Sequence, residues 1–225
     1  MRFVPISLFG LSLLAASWAF ADGLDSPESQ YAYTIGQRIG QLLKGQVTGE
    51  LDADAFAAGV KDYLNGSPPR LSKAQMKKAL QEARARAAAL REKKAAEALE
   101  KGKRFREQNA KKAGVKTLAD GLQYEVLKEG DGESPKASDR VQVHYRGTLI
   151  DGKEFDSSYK RGKPAEFSLK GVVPGFREAI TRMKPGAKWR VVMPPELAYG
   201  KRGAGADIGP NETLVFEIEL LKVLK

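Results

Sequence analysis

The chain has 225 residues, with 38 Lys and Arg against 28 Asp and Glu, one histidine, no cysteine and a formal net charge of +10. The absence of cysteine excludes disulfides, thiolate nucleophiles and cysteine-ligated metals, and a single histidine excludes a histidine-rich metal site. The length predicts one or two domains, and a hydrophobic content of 42% is enough for a folded core.

Residues 1–21 have the pattern of a secretory signal peptide. A basic start precedes a mostly apolar run from Phe3 to Phe20, and Ala19-Phe20-Ala21 matches the small-x-small rule for cleavage. We therefore expect a mature chain that is exported and soluble in the periplasm, with association to the outer membrane as a further option. A retained membrane anchor is the alternative, but a proline and a glycine interrupt a run that is short for a membrane span.

Two short helices are expected in residues 22–69. Apolar residues recur at helical spacing after Ser26-Pro27, and a second periodic segment runs from about Asp52 to Leu64, where Asn65-Gly66 is a stop signal. Such short helices cannot form a large core alone. They either pack against the rest of the chain or pair with a second copy, and we favour a homodimer formed through residues 22–69.

Residues 70–114 are predicted to form one long linker helix. Ser72 and Gln75 form a capping box, alanine is frequent, and Ala113-Gly114 provide a stop signal. The segment 70–116 carries 16 basic and 5 acidic residues, so the positive charge of the chain is concentrated there.

The basic helix has two interpretations, a solvated spacer and a nucleic-acid-binding element. Its glutamates are interleaved with the basic residues, aromatic side chains are scarce, and the chain is predicted to be exported. We therefore expect a spacer and no nucleic-acid partner. Its apolar residues are too small for an interfacial helix, so at most a weak contact with an anionic membrane surface is expected.

Residues 115–225 change to the alternating pattern of strands. Strands are expected at Leu122–Lys128, Val141–Tyr145, Ala187–Met193 and Leu214–Leu224, with a hairpin turn at Asp151-Gly152 and a short helix at Gly175–Met183. The pattern predicts an α+β fold, in which one helix covers one face of an antiparallel sheet.

The usual residue sets for covalent, acid–base or metal catalysis are missing from this region. His144 alternates with Val143 and Tyr145, so it is interpreted as a strand-surface residue and not as a general base. There is no serine-nucleophile motif, no glycine-rich phosphate loop and no metal-ligand spacing, so neither a metal nor a cofactor is expected. Aromatic and aliphatic side chains near turns are abundant instead.

Five motifs in this region carry a resemblance to a known family: Val143-His-Tyr-Arg-Gly-Thr-Leu149, Asp151-Gly-Lys-Glu-Phe-Asp-Ser-Ser158, Val173-Pro-Gly-Phe176, Leu197-Ala-Tyr-Gly200 and Gly209-Pro-Asn-Glu-Thr-Leu-Val-Phe216. Residues 115–225 resemble the FK506-binding (FKBP) family of peptidyl-prolyl cis–trans isomerases. The mature chain resembles the exported, dimeric, macrophage-infectivity-potentiator (Mip) type, in which an amino-terminal helical pair dimerises and a long helix carries the isomerase domain.

The resemblance implies an apolar substrate pocket. Its implied catalytic residues are Tyr145, Asp156, Tyr199 and Phe216. Its implied substrate-binding residues are Phe155, Arg161, Phe167, Val172, Val173, Phe176 and Ile208. Many relatives have a tryptophan where Phe176 stands and a rim phenylalanine where Ala165 stands. The glycine-rich loop at 203–207 lacks side chains that give rim contacts in other members of the family. The resemblance also implies binding of FK506- or rapamycin-like inhibitors.

The expected mechanism needs no proton transfer. Rotation about a peptide C–N bond costs about 18–20 kcal/mol because resonance gives it double-bond character. A dry pocket weakens the charge-separated resonance form, and a hydroxyl such as that of Tyr199 can hold the twisted amide by donating to a substrate carbonyl. Asp156 either contacts the amide carbonyl carbon or orients Tyr145 and Arg161.

The expected function is prolyl isomerisation that accelerates folding of unfolded or proline-containing exported proteins, with chaperone activity beside it. The alternative is a dimeric holdase chaperone with a weak or vestigial isomerase pocket.

Overall fold

A computed structural model describes residues 23–46 and 51–224, and the chain divides into two units after Val47. The expected signal peptide and its cleavage site lie outside the described residues. Among the helices of the described residues, none combines the length and the apolar character that crossing a membrane requires.

The described part of the first unit is helix α1 (Pro27–Gln46). It begins as predicted, because the Ser29 amide donates a hydrogen bond to the Ser26 hydroxyl oxygen at 3.1 Å. Its large apolar side chains are exposed, namely those of Tyr31, Tyr33, Ile35, Ile39 and Leu42. Helix α1 therefore presents aromatic and aliphatic surface that its own unit does not cover.

The second unit begins with helix α2 (Ala53–Leu64), as predicted. Asp52 caps it by accepting a hydrogen bond from the Ala55 amide at 2.9 Å. Arg70 forms an ion pair with Asp62 at 2.7 Å, which ties the following connection back to the helix. None of the residues of α2 is buried, so this helix also leaves its apolar side chains uncovered.

Helix α3 (Lys73–Asn109) has the predicted capping box at Ser72 and Gln75. The predicted end at Ala113 is wrong, since the helix stops at Asn109, about one turn earlier. The reason is tertiary: the Asn109 side chain is buried and donates to the Gln123 side-chain oxygen at 3.0 Å. Gln123 in turn donates to the Arg106 carbonyl at 2.9 Å, so the last turn of the helix is fastened to the following domain.

Residues 115–224 form an antiparallel sheet, and the predicted α+β fold is confirmed. The strands are β1 (Val115–Thr117), β2 (Gln123–Lys128), β3 (Arg140–Leu149), β4 (Glu154–Ser157), β5 (Ala165–Ser168), β6 (Lys188–Met193) and β7 (Leu214–Leu224). Their order is β1-β2-β6-β7-β3-β4, and β5 also pairs with β3. Strands β1, β4 and β5 were not predicted, because three or four residues are too few to show an alternating pattern.

Helix α4 (Pro174–Arg182) supplies the other layer of the core. Its Phe176, Ala179 and Ile180 side chains belong to one buried cluster with inward-facing residues of β3, β6 and β7. Gly175 permits the close approach, since a Cβ there would lie 3.0 Å from the Met193 sulfur. Burial of each large aliphatic or aromatic side chain contributes about 1.5–3 kcal/mol, so this cluster is the main source of stability in the domain.

Candidate active site

A cavity of about 490 Å³ opens among the sheet, α4 and the segment that precedes β7. Most of its walls are apolar rings and branched side chains, from Tyr145, Phe155, Phe167, Val172, Val173, Phe176, Tyr199, Ile208 and Phe216. The remaining wall residues are Asp156, Gly171, Ala204, Gly205 and Asp207.

Strand β3 brings the separate pieces of the cavity together because it pairs with three strands. Its amino-terminal half pairs with β5, which places Phe167 opposite Val141. Its carboxyl-terminal half lies between β4 and β7, which places Asp156 and Phe216 on either side of Gly147. Residues distant in sequence therefore reach one cavity through strand register.

Phe176 lies at the base of the cavity and is almost fully buried. Its ring meets those of Phe216, Phe167 and Tyr145 edge-to-face, with centroid separations of 5.5, 5.8 and 6.0 Å. Edge-to-face contacts suit the ring quadrupoles and hold the rings in fixed orientations. The cavity consequently has a rigid aromatic floor.

Gly147 is required by the approach of two further rings. A Cβ at this position would lie 2.6 Å from the Phe155 ring and 2.8 Å from the Phe216 ring. The absence of a side chain lets Phe155 and Phe216 pack at 5.5 Å with an interplanar angle of 79°. The glycine of the β3 motif thus shapes the cavity although it does not line it.

Three polar side chains at the rim form a closed hydrogen-bonded set. The Tyr145 hydroxyl donates to one oxygen of the Asp156 carboxylate, and Arg161 donates to the other. Arg161 also donates to the Tyr145 hydroxyl oxygen at 2.8 Å, and its guanidinium lies over the Tyr145 ring at 5.5 Å. Each member is therefore oriented by the other two.

The same contacts set the protonation states at the rim. Burial, helped by the hydrogen bond to Asp156, raises the pKa of Tyr145 to about 12. Burial also acts to raise the pKa of Asp156, but hydrogen bonds from Tyr145 and Arg161 outweigh it and hold that pKa below its ordinary value. Tyr145 therefore keeps its proton and Asp156 its negative charge at neutral pH.

Tyr199 differs from Tyr145 because its hydroxyl is available. The side chain lines the cavity and the residue is 39% exposed. Within the part of the chain that the structure describes, its hydroxyl makes no hydrogen bond. The Tyr199 hydroxyl can thus donate a hydrogen bond to a ligand carbonyl in the cavity without first breaking a hydrogen bond inside the protein.

The structure gathers the residues implied by the family resemblance into one place. All of them line the cavity except Arg161, which donates hydrogen bonds to the cavity residues Asp156 and Tyr145. Sequence reasoning assigned no role to Gly171 or Asp207, which also line the cavity. Asp207 forms an ion pair with Lys153 at 2.9 Å, a contact between two loops that no local pattern signals.

His144 lies outside the cavity. Its ring stacks on Tyr159 at 4.6 Å, and its Nδ1 atom is 3.0 Å from the Ser158 hydroxyl oxygen. Over the described ranges, 23–46 and 51–224, no group of three or more His, Cys, Asp and Glu residues is arranged to hold a metal ion.

Comparison with known proteins agrees with this geometry. The family model described as "FKBP-type peptidyl-prolyl cis-trans isomerase" matches residues 131–221. A second model, "Domain amino terminal to FKBP-type peptidyl-prolyl isomerase", matches residues 28–126. The chain belongs to the family of FKBP-type peptidyl-prolyl cis–trans isomerases, as its motifs predicted, and it is an isomerase of that type.

Three proteins show the likeness over most of the chain. The FKBP-type 22 kDa peptidyl-prolyl cis-trans isomerase of Escherichia coli is 46% identical, over 89% of this chain and 97% of that protein. The outer membrane protein MIP of Legionella longbeachae is 40% identical, over 100% of this chain and 98% of that protein. The crystal structure of FkpA from Escherichia coli has a TM-score of 0.65 and 44% identity, and the match covers 88% of this chain and 97% of that one.

Proposed function

We propose that the cavity is the active site and that it accelerates X-Pro rotation by desolvating and twisting the amide, without covalent or acid–base chemistry. The observation that carries this proposal is the aromatic cavity whose rim groups, Tyr145, Asp156 and Arg161, already hydrogen-bond one another. The raised pKa of Tyr145 and the lowered pKa of Asp156 keep both groups from titrating near neutral pH, where a general acid or base works best.

The physical basis is the polarity of the peptide bond. Both isomers of an X-Pro bond persist, because the tertiary amide loses most of its trans preference, and they exchange slowly. The planar amide owes its barrier to a charge-separated resonance form that water stabilises. A site that excludes water and fits the twisted geometry lowers the barrier because it binds the transition state better than the ground state.

Individual roles follow from position in the cavity. Phe176, Val173 and Phe216 form the apolar slot for the proline ring. The Tyr199 hydroxyl donates to a substrate carbonyl. Of the two roles open to Asp156, its contacts support the orienting one, since both carboxylate oxygens are occupied by Tyr145 and Arg161.

Substitution of Tyr199 and Asp156 tests the assignment. We expect Tyr199→Phe and Asp156→Ala each to slow isomerisation of a short X-Pro peptide by about threefold to tenfold, with little change in melting temperature, because each removes a polar group that is not part of the core. Tyr159→Phe is the matched control, as this tyrosine is also at the surface but does not line the cavity. Wild-type rates in both cavity variants would show that the active site is elsewhere.

We further propose that the chain is a homodimer through residues 22–69 and has chaperone activity beside isomerisation. The exposed apolar side chains of α1 support pairing, as does the absence of buried residues in α2. Two pockets on one particle raise the effective concentration for an unfolded client with several prolines. The fully formed cavity favours this function over a holdase with a vestigial pocket.

Export is proposed from residues 1–21 and is supported by the likeness to an outer membrane protein. The mature protein is then periplasmic, or associated with the outer membrane, and its mass is expected to correspond to a chain that starts at Asp22. An intact Met1 in the exported protein would contradict this.

The apolar cavity also supports binding of FK506- or rapamycin-like inhibitors in competition with a peptide substrate.

A further inference from the structure

Helix α3 contacts the isomerase domain from Arg91 to Asn109, over the carboxyl-terminal half of the helix and not only where the chain passes from one to the other. We call residues 199–213 the flap segment. It contributes Tyr199, Ala204, Asp207 and Ile208 to the cavity wall. The contacts of α3 with the domain fall largely on this segment.

The two ends of the flap segment are both hydrogen-bonded to α3. Near its start, the Arg91 guanidinium donates to the carbonyl of Arg202 at 2.8 Å. Near its end, the Asn211 side chain donates to the carbonyl of Ala95 at 3.3 Å. About one turn of the helix, from Arg91 to Ala95, therefore holds both ends of the flap segment.

A third contact lies at Thr213, the last residue of the flap segment, which is fully buried. The Arg106 guanidinium donates to its hydroxyl oxygen, and burial lowers the pKa of Arg106. A Cβ on Gly102 would lie 2.3 Å from that same hydroxyl oxygen. Glycine is unfavourable inside a helix, so its presence at 102 is explained by this close approach.

Inside the flap segment, few bonds hold the cavity-lining residues. Ala204 and Ile208 exchange two backbone hydrogen bonds, at 2.9 and 3.1 Å. Lys153 and Asp207 form an ion pair at 2.9 Å, and both side chains are more than half exposed. An exposed ion pair contributes little stability. The two ends of the segment are joined directly, since the Asn211 amide donates to the Gly200 carbonyl at 2.9 Å. The flap segment is therefore a closed loop, and its position depends on how this base is held against the rest of the molecule.

We propose that helix α3 is a positioning element of the isomerase pocket, in which Arg91, Ala95 and Gly102 hold the flap segment. These contacts thereby place Tyr199 and Ile208. A displacement of the helix reaches the cavity wall through these contacts. The inference rests on the proposed assignment of the cavity as the active site. It makes α3 part of the catalytic unit in addition to a linker.

The test uses the full-length mature chain with Arg91→Gln, combined with Asn211→Gly. Asn211 has a φ of +57°, a conformation that glycine adopts without strain, so this change removes the side-chain donor and keeps the turn. Arg84→Gln is the matched control, because Arg84 is an exposed arginine two turns earlier on the same side of α3. Two quantities are measured, namely amide hydrogen exchange at Ala204 and Ile208 and kcat/KM on a short X-Pro peptide.

We expect the double variant to exchange both flap amides at least about threefold to tenfold faster and to lose kcat/KM by a similar factor. Core amides such as those of Val143 and Ile218 should exchange at the wild-type rate, which separates an effect on the flap from a loss of global stability. Arg84→Gln should change neither quantity. Unchanged exchange at Ala204 and Ile208 would overturn the inference, whatever happens to the rate.

Faster flap exchange with an unchanged rate would also overturn the positioning role. The Tyr199→Phe and Asp156→Ala variants show which proposal has failed in that case. If they are slow, the cavity is the active site and only the role of α3 is wrong. If they too run at the wild-type rate, the assignment of the cavity has failed.

Gly102→Ala gives an independent check on the same coupling. The added methyl group must displace either α3 or the Thr213 side chain, and both changes disturb the contact between the helix and the flap segment, so the flap amides should exchange faster than in the wild type. Gly59→Ala is its control, since a Cβ at this helical glycine meets nothing within 4 Å. Equal flap exchange in Gly102→Ala and Gly59→Ala would contradict the close contact that the proposal requires.

Discussion

The amino-terminal helices expose most of their apolar side chains, whereas the sheet domain buries most of its own. Helix α2 buries none of its residues and α1 exposes its tyrosines, isoleucines and Leu42. The sheet domain buries its large aliphatic residues against α4, with Ile180, Ile218 and Leu220 fully inaccessible. A sheet and a helix cover each other within one chain, whereas two short helices have too little surface to do so.

Helix α3 combines both kinds of behaviour. Its Leu80 and Leu90 side chains are exposed, while Ala98, Gly102 and Asn109 are buried against the domain that follows. The apolar helical surface toward the amino terminus is thus left uncovered, whereas the end of α3 is buried against the sheet domain. Each of the following predictions tests one side of this contrast.

Removal of α1 and α2 is expected to have the largest effect. A chain that begins at Ser72 keeps α3 with its cap and its contacts to Gln123 and Thr213. We expect it to be monomeric by sedimentation and to isomerise a short peptide at nearly the full rate, because a short peptide occupies one pocket. It should be much less effective in refolding a whole protein.

The intact mature chain is the reference for that experiment and is expected to sediment as a dimer. A monomeric mature chain would contradict the proposed pairing. If the truncated and intact chains refold a protein client equally well, the proposal that two pockets on one particle aid refolding is wrong.

Gly147→Ala tests how tightly the sheet domain packs at the cavity. The new methyl group would meet the rings of Phe155 and Phe216, so we expect a loss of about 1–3 kcal/mol in unfolding free energy together with slower isomerisation. Gly171→Ala is a suitable comparison at the edge of the same cavity, because an added Cβ there has no neighbour within 4 Å. Equal denaturation midpoints for the two variants would show that the rings rearrange freely.

The pH dependence of the rate should be the smallest effect. Asp156 has a lowered pKa, so the contribution of its charged form to folding stability is complete above the ordinary value of 3.8. That contribution is lost only as pH falls through the lower folded-state pKa. Tyr145 has a raised pKa, so the contribution of its protonated form to folding stability is complete below 10.0 and is lost as pH rises through about 12. Both groups therefore keep one protonation state through the neutral range. We therefore expect a nearly flat kcat/KM from about pH 5.5 to 8.5.

His144→Gln is the informative control for the pH profile, because histidine is the side chain that ordinarily titrates in this range. A sigmoidal profile in the wild type that disappears in His144→Gln would restore an acid–base role for this residue.

Local patterns predicted the elements that are long enough to show a period. The alternation in 141–145 and 214–224 predicted β3 and β7, and Ser72 with Gln75 predicted the start of α3. The three short strands were missed although β4 and β5 carry Phe155, Asp156 and Phe167. Those cavity residues were found through family motifs, since nothing in their periodicity marks them.

The sequence by itself determined the caps, the long strands, the excess of aromatic side chains and the absence of catalytic cysteine, because these depend on residue type and local spacing. Only the tertiary structure decided that Tyr145, Asp156 and Arg161 bind one another, that α3 ends at Asn109, and that this helix holds the flap segment. The physical reason is that periodicity specifies which face of an element is apolar, whereas partners are chosen by strand register and by the packing of surfaces distant in sequence.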